Sequence, residues 1–236
     1  MRVLTLLLFL FALPAWCQAD SQLHWVNVTE NPNPLKVTYC KKQQCDHVQM
    51  QPQTVHKPVL LDAGRYKFTV ESQGQELDSF EYIVGRDKYY ALLFFGLAAQ
   101  SVKKSFLSQV MDALGGNEMI SKARFQMRHR MIDLEPHSPD QPASIRFANL
   151  AAGSSAIQMD IDNGMKYKKF SALPYMKISD SKKMQPFTGS YKIRFDNAVT
   201  ECAAGKIQVK GGENILFIAS SISINTCGVL TVRNSR

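Results

Sequence analysis

His24-Trp25-Val26-Asn27-Val28-Thr29 and Arg146-Phe147-Ala148-Asn149-Leu150 read as one strand written twice, 122 residues apart counted from Asn27 to Asn149. In that register Leu35, Val37 and Tyr39 fall on Ile157, Met159 and Ile161. Further along, Ala63-Gly64-Arg65-Tyr66-Lys67-Phe68 meets Thr188-Gly189-Ser190-Tyr191-Lys192-Ile193, and Tyr89-Tyr90-Ala91-Leu92 meets Ile215-Leu216-Phe217-Ile218. A period of this length exceeds the roughly 20–50 residues of a solenoid unit, so the pattern predicts two tandem domains.

Outward from those strands the pattern stays short and alternating. In the first half it predicts strands over 23–28, 35–39, 47–50, 57–61, 64–71, 77–84 and 88–95, separated by turn-rich stretches such as Asn31-Pro32-Asn33-Pro34 and Ser72-Gln73-Gly74-Gln75. In the second half 157–161 alternates and runs into Asp162-Asn163-Gly164, a tight-hairpin signal; 190–195, 206–209, 214–219 and 228–233 follow. The expected fold class is all-β: two tandem immunoglobulin-like antiparallel β-sandwich domains. One stretch departs from it. Val102, Phe106, Val110 and Leu114 stand four apart and Gly115-Gly116 follows, which predicts a helix over 101–114 inserted in the first domain, with strand character resuming at 122–134. That helix either covers a sheet edge or carries a specialised role. The expected organisation is a signal peptide over 1–19, domain one over 20–134, a Pro-rich semi-rigid linker over 135–142, and domain two over 143–236.

The first residues predict export. Arg2 supplies a positive end, 3–13 an apolar run shorter than a spanning helix needs, and Cys17-Gln18-Ala19 a small-residue cleavage site. Trp16 before Cys17 argues against lipidation, so the expectation is a soluble exported protein, periplasmic or extracellular, with no transmembrane segment in the mature chain. The net charge is +8 from 28 basic and 20 acidic residues; removal of Arg2 with the signal leaves 27 against 20, or +7. A basic exported protein is drawn to anionic polysaccharide or lipid, and the compartment argues against nucleic acid. Four cysteines then remain, Cys40 with Cys45 and Cys202 with Cys227, an even number suited to structural disulfides. Spacing alone permits three connectivities, although Cys40 and Cys45 flank Lys41-Lys42-Gln43-Gln44 as a hairpin-mouth bridge would.

Catalysis finds little footing. His24, His47, His56, His129 and His137 never pair at metal-ligand spacing, and neither a Gly-x-Ser-x-Gly elbow nor a phosphate loop is present. Asp160 and Asp162 share a strand face beside a turn and are expected to be solvated. A non-enzyme without cofactors is the expectation. Two clusters invite sharper readings. Met127, His129 and Met131 share one strand face with Phe125, a soft donor set that suits copper(I), or else an ordinary core with His129 at its rim. Arg128, Arg130, Lys166, Lys168, Lys169, Lys182, Lys183 and Arg194 form candidate anionic-ligand positions, with Tyr167, Phe170, Tyr175 and Phe187 interleaved among those of the second domain. Cations beside aromatic faces suit acidic sugars; the alternative is a solvated surface whose aromatics point inward.

Two motif sets carry a resemblance. Ser144-Ile145-Arg146-Phe147-Ala148-Asn149-Leu150-Ala151-Ala152-Gly153, Ile157-Gln158-Met159-Asp160-Ile161-Asp162-Asn163-Gly164 and Gly189-Ser190-Tyr191 resemble bacterial extracytoplasmic sandwich domains of unknown function. The tandem layout, with Asp62-Ala63-Gly64-Arg65-Tyr66 and Asp87-Lys88-Tyr89-Tyr90 in the first copy, is similar to the AlgF family of periplasmic accessory proteins in alginate O-acetylation. That resemblance implies a non-catalytic adaptor for polysaccharide O-acetylation or surface-glycan export, with an anionic or acetylated polysaccharide and envelope acyltransferase proteins as partners. It supplies no active-site residue. Gly64 and Gly189 are expected to turn the chain, and Tyr66 and Tyr191 to pack. A structural envelope or secreted protein–protein interaction module is the other reading.

Overall fold

Leu23 and Trp25 of Ser21–Thr29 (β1) point to one side of their strand and Val26 and Val28 to the other, and all four are buried. A strand with no solvent face must sit between two cores. In the computed structural model, which describes residues 20–96, 127–152, 154–196, 201–223 and 226–235, it does. The signal peptide over 1–19 and the helix over 101–114 lie outside the described residues.

The remaining strands of the first half are Leu35–Lys41 (β2), Gln44–Met50 (β3), Thr54–Leu61 (β4), Gly64–Ser72 (β5), Gln75–Val84 (β6), Tyr89–Gly96 (β7) and Arg128–Asp133 (β8). They form two four-stranded sheets, β4-β1-β7-β8 and β3-β2-β5-β6. The second half holds Ala143–Asn149 (β9), Ile157–Asp162 (β10), Tyr167–Lys169 (β11), Lys177–Ile178 (β12), Lys182–Met184 (β13), Phe187–Phe195 (β14), Glu201–Val209 (β15), Asn214–Ser223 (β16) and Thr226–Asn234 (β17). Its sheets run β12-β9-β16-β17, with β13 also on β9, and β11-β10-β14-β15. The two halves therefore share one topology, with β12 and β13 together on β9 in the place that β4 takes on β1. The all-β sandwich class holds, with one refinement: β1 with β7 and β9 with β16 pair parallel inside otherwise antiparallel sheets.

Three cores separate the four layers. Leu23, Trp25, Leu35, Val37, Phe68 and Leu92 fill the first half's sandwich, and Ile145, Phe147, Ile157, Met159, Ile193 and Phe217 fill the second. Between the halves lies a third core. Val26, Val28, Ala91, Leu93, Phe95 and Ile132 of one half meet Ala148, Leu150, Leu216, Ile218 and Val232 of the other. The Pro-rich segment over 135–142 thus joins two bodies that already touch face to face, and it is held to Gly212 by hydrogen bonds from His137 N to Gly212 O and from Gly212 N to Gln141 O.

This third core explains why β7 reads Tyr-Tyr-Ala-Leu-Leu-Phe-Phe and β16 reads Ile-Leu-Phe-Ile-Ala without alternation: each is buried on both faces. The same fact corrects the alignment of the two copies there. Leu92 pairs with Trp25 and Phe217 with Phe147, so Leu92 corresponds to Phe217 and not to Ile218. A slip by one residue exchanges the faces of a strand, and an unbroken apolar run gives no period to reveal it.

Asn27 and Asn149, the shared polar residue of the repeat, are fully buried with the same task. Asn27 Oδ1 accepts from Thr29 N and Oγ1 at 3.0 and 2.7 Å, and its amide donates to Met50 O. Asn149 Oδ1 accepts from Ala151 N and Ser154 Oγ, and its amide donates to Leu173 O at 2.9 Å. Each ties off a strand end to a neighbouring loop. Asn149→Leu leaves those buried groups unpaired and is expected to cost about 2–4 kcal/mol in urea denaturation; a cost near zero would show that water replaces the amide.

Two glycine expectations change. Gly189 lies inside β14 and turns nothing; a Cβ there would stand 2.1 Å from Asp162 O. Gly64 (φ +154°) opens β5, and a Cβ there would meet the Lys41 stem at 2.8 Å.

Candidate functional site

Both disulfides form between the residues paired from the sequence. Cys40–Cys45 closes the β2–β3 hairpin, where the two are direct cross-strand partners, and Cys202–Cys227 ties β15 to β17 across the second sandwich. Disulfides of this kind belong to an oxidising compartment. No helix among the described residues is long and apolar enough to cross a membrane.

The basic residues do not gather into one patch. Arg128 and Arg130 are exposed on β8, at the edge of the β4-β1-β7-β8 sheet. Lys182 and Lys183 sit on β13 along β9; the Lys182 ammonium lies 5.2 Å from the centre of the Phe170 ring, and Lys183 contacts His137 Nε2. Lys166, Lys169 and Arg194 do come together, on the outer face of the β11-β10-β14-β15 sheet, where β11 is the edge strand beside β10; Lys168, opposite the core residue Ile161, projects to the other face. Of the interleaved aromatics, Phe170 and Tyr175 are buried and Phe187 packs partly against the second core. Tyr167 alone stands out, 56% exposed.

Met127 and Met131 pack against the first core, and His129 Nδ1 contacts Asp78 Oδ2 at 2.6 Å while its ring stacks on Phe80. These contacts bind β8 across the sandwich to β6. They give each member of the trio a packing role, and the histidine nitrogen facing Asp78 is occupied.

Asp160 is the residue the sequence misplaced. It is 2% exposed, not solvated, because β10 is an interior strand flanked by β11 and β14. Its carboxylate accepts from Gln158 Nε2 at 2.9 and 3.1 Å and pairs with the half-exposed Arg194 guanidinium at 2.8 Å. A buried carboxylate needs such partners, so the pair is fixed in place. Asp162, two residues on, is exposed and accepts from Gly164 N at 2.8 Å, inside a hairpin whose loop takes the four residues 163–166.

Tyr167 stands opposite Asp162 and reaches diagonally to Asp160 with its hydroxyl. Desolvation first, then the charge and hydrogen bond of Asp160, raise its phenol pKa. An exposed ring is thereby laid over the sheet with its hydroxyl anchored. Around it Lys192 pairs with Glu201 at 2.5 Å, whereas Lys166, Lys168, Lys169 and Lys206 form no ion pair among the described residues.

No protein-family model and no curated protein matches the chain. Among solved structures, a leucine-rich repeat protein from Bacteroides thetaiotaomicron is similar at 9% identity over 87% of this chain, with a TM-score of 0.19; the chain spans only 26% of its length. CBMbc (family CBM26) of Amy13K from Eubacterium rectale, solved in complex with maltoheptaose, is similar at 10% identity over 92% of this chain and 98% of its own, with a TM-score of 0.26. At these TM-scores the likenesses carry no argument about ligand or activity.

A second tyrosine environment occurs in the first half. Tyr39 rests against Trp25 with ring centres 5.3 Å apart, and its hydroxyl contacts Asp46 Oδ2 at 3.2 Å. Burial, reinforced by the Asp46 charge and hydrogen bond, pushes its phenol pKa up to about 12. The neutral form is favoured in the folded state, so this contribution to stability is full below pH 10 and is lost as the pH rises towards 12. Ultraviolet titration is expected to show a late absorbance step above pH 11 that Tyr39→Phe reduces by one tyrosine; an unchanged curve in that variant would contradict it.

Proposed function

We propose that the protein is a non-catalytic, exported binding module for acidic polysaccharide, and that the outer face of the β11-β10-β14-β15 sheet is its binding surface. The observation that carries this reading is the exposed Tyr167 ring, anchored on the Asp160–Arg194 pair and bordered by the ammonium groups of Lys166 and Lys169, which form no ion pair among the described residues. A sugar ring stacks on the aromatic face while its carboxylates meet the cations. Preorganisation comes from the fixed hydroxyl and from the strand backbone, which reduces the entropy lost on binding. An accessory role in polysaccharide O-acetylation or surface-glycan export, beside an envelope acyltransferase, is the cellular setting this reading fits.

Retention on immobilised alginate, a polyuronate, against neutral dextran tests it. The protein is expected to be held by alginate at low salt and to pass dextran. Tyr167→Ala and the pair Lys166→Glu with Lys169→Glu should each weaken alginate binding about tenfold, equivalent to 1.4 kcal/mol, without lowering the melting temperature. Equal retention on both polymers, or full binding by both variants, would instead favour a structural or protein–protein role.

A further inference from the structure

The rim of the first half bears a pocket of about 270 Å³ at the tip of the β2–β3 hairpin. Its walls include Tyr39, Lys41, Gln44, Asp46, Asp62 and Tyr66. Drug-sized ligands occupy sites of roughly 300–1,000 Å³, so this one holds a single ring and not a chain. Both tyrosines are backed by the first core, Tyr39 by Trp25 and Tyr66 by Phe68 at 6.2 Å between ring centres.

The polar groups are already in register with one another. Lys41 Nζ stands 3.2 Å from Asp62 Oδ2 and 5.9 Å from the centre of the Tyr66 ring, which places a donor and an acceptor side by side beside an aromatic wall. Gly64 permits this, since a Cβ would displace the Lys41 stem. The Cys40–Cys45 disulfide closes the hairpin between Tyr39 and Lys41 on one strand and Gln44 and Asp46 on the other, and so holds four of the lining residues to one geometry. With Lys41 against Asp46 and Asp62 the charged lining sums to −1, so acidic sugars are repelled.

We infer that this pocket is a second, separate carbohydrate site that takes one neutral pyranose ring, distinct from the acidic-polymer surface around Tyr167. The ring packs against tyrosine, and adjacent hydroxyls bridge the Lys41 ammonium and the Asp62 carboxylate, with Asp46 and Gln44 at the rim. A neutral sugar suits it because its hydroxyls both donate and accept, whereas an ammonium ligand would compete with Lys41 for the same carboxylate.

Amide chemical-shift mapping on the ¹⁵N-labelled protein tests the inference, with the methyl glycosides of glucose, galactose, mannose and N-acetylglucosamine each titrated to its solubility limit. At least one glycoside is expected to shift amides of 39–46 and 60–66 and to leave those of β10, β11 and β14 unmoved. Tyr39→Ala and, with the core untouched, Asp62→Asn should each abolish those shifts while alginate retention persists. Silence of the pocket amides to all four sugars, or shifts that survive in both variants, would overturn it. Tyr167→Ala should leave the glycoside shifts intact, so failure of one site is separable from failure of the other.

Discussion

Leu216→Asp is expected to unfold the first half of the molecule as well as the second. Leu216 belongs to the second half's β16, yet its side chain is fully buried in the core between the halves, against residues such as Val26 and Leu93. An aspartate there has no partner within that apolar layer, and an unpaired buried charge is among the few single changes that cost more than about 4 kcal/mol. In the chain from Asp20 onward Trp25 is the single tryptophan, so its fluorescence reports the first half alone, whereas far-ultraviolet circular dichroism reports both. The wild-type protein is expected to show one urea transition by the two probes. In Leu216→Asp the Trp25 transition should move to much lower urea, 191 residues away in sequence. A Trp25 transition that stayed at its wild-type midpoint would show two independent domains.

Trp25→Ala and Phe147→Ala are expected to be about equally damaging, each at roughly 3–5 kcal/mol. The two residues occupy the same place in the repeat, at the centre of a parallel pair with β7 or β16, and both are fully buried. Trp25 lies against Tyr39 and Phe68, with ring centres 5.3 and 6.1 Å away, so its removal leaves a void that strands paired on both sides cannot collapse to fill. Because the third core couples the halves, either substitution should lower the single transition of the whole molecule, read as a fall in urea midpoint at an unchanged slope. A cost below about 1 kcal/mol for either would indicate that its sandwich repacks freely.

The strands, the repeat and the cysteine pairs were legible in the sequence because each has a local signature: alternation, recurrence at an offset, and even-numbered thiols. The third core was written in the sequence too, but less readably. Continuous burial in Leu92-Leu93-Phe94-Phe95 and Ile215-Leu216-Phe217-Ile218 signals a strand covered on both faces, and it signals nothing about which neighbour does the covering. The same lack of period hid the one-residue slip between Leu92 and Phe217.

The candidate sites were legible only in part, since a site depends on which strand is interior. Tyr167 and Lys169 were visible as an aromatic among cations. Asp160 was not, because a carboxylate two residues from a turn reads as solvated until β11 and β14 are known to flank it. Arg128, Arg130, Lys182 and Lys183 were grouped with Lys166 by composition, and the fold distributes them over other sheet edges. The pocket around Tyr39 joins the β2–β3 hairpin to Asp62 and Tyr66, a convergence that no spacing encodes.

The acidic-polymer surface is tested most directly by calorimetric titration of alginate oligomers into the chain from Asp20 onward across a series of salt concentrations. Unpaired surface ammonium groups lose their attraction as salt shortens the screening length, which falls from about 30 Å at 0.01 M to about 10 Å at 0.1 M. The dissociation constant is expected to rise about tenfold or more over that interval, and Tyr167→Ala to weaken binding at every salt concentration. Affinity that is indifferent to both salt and Tyr167 would contradict the assignment of this sheet face.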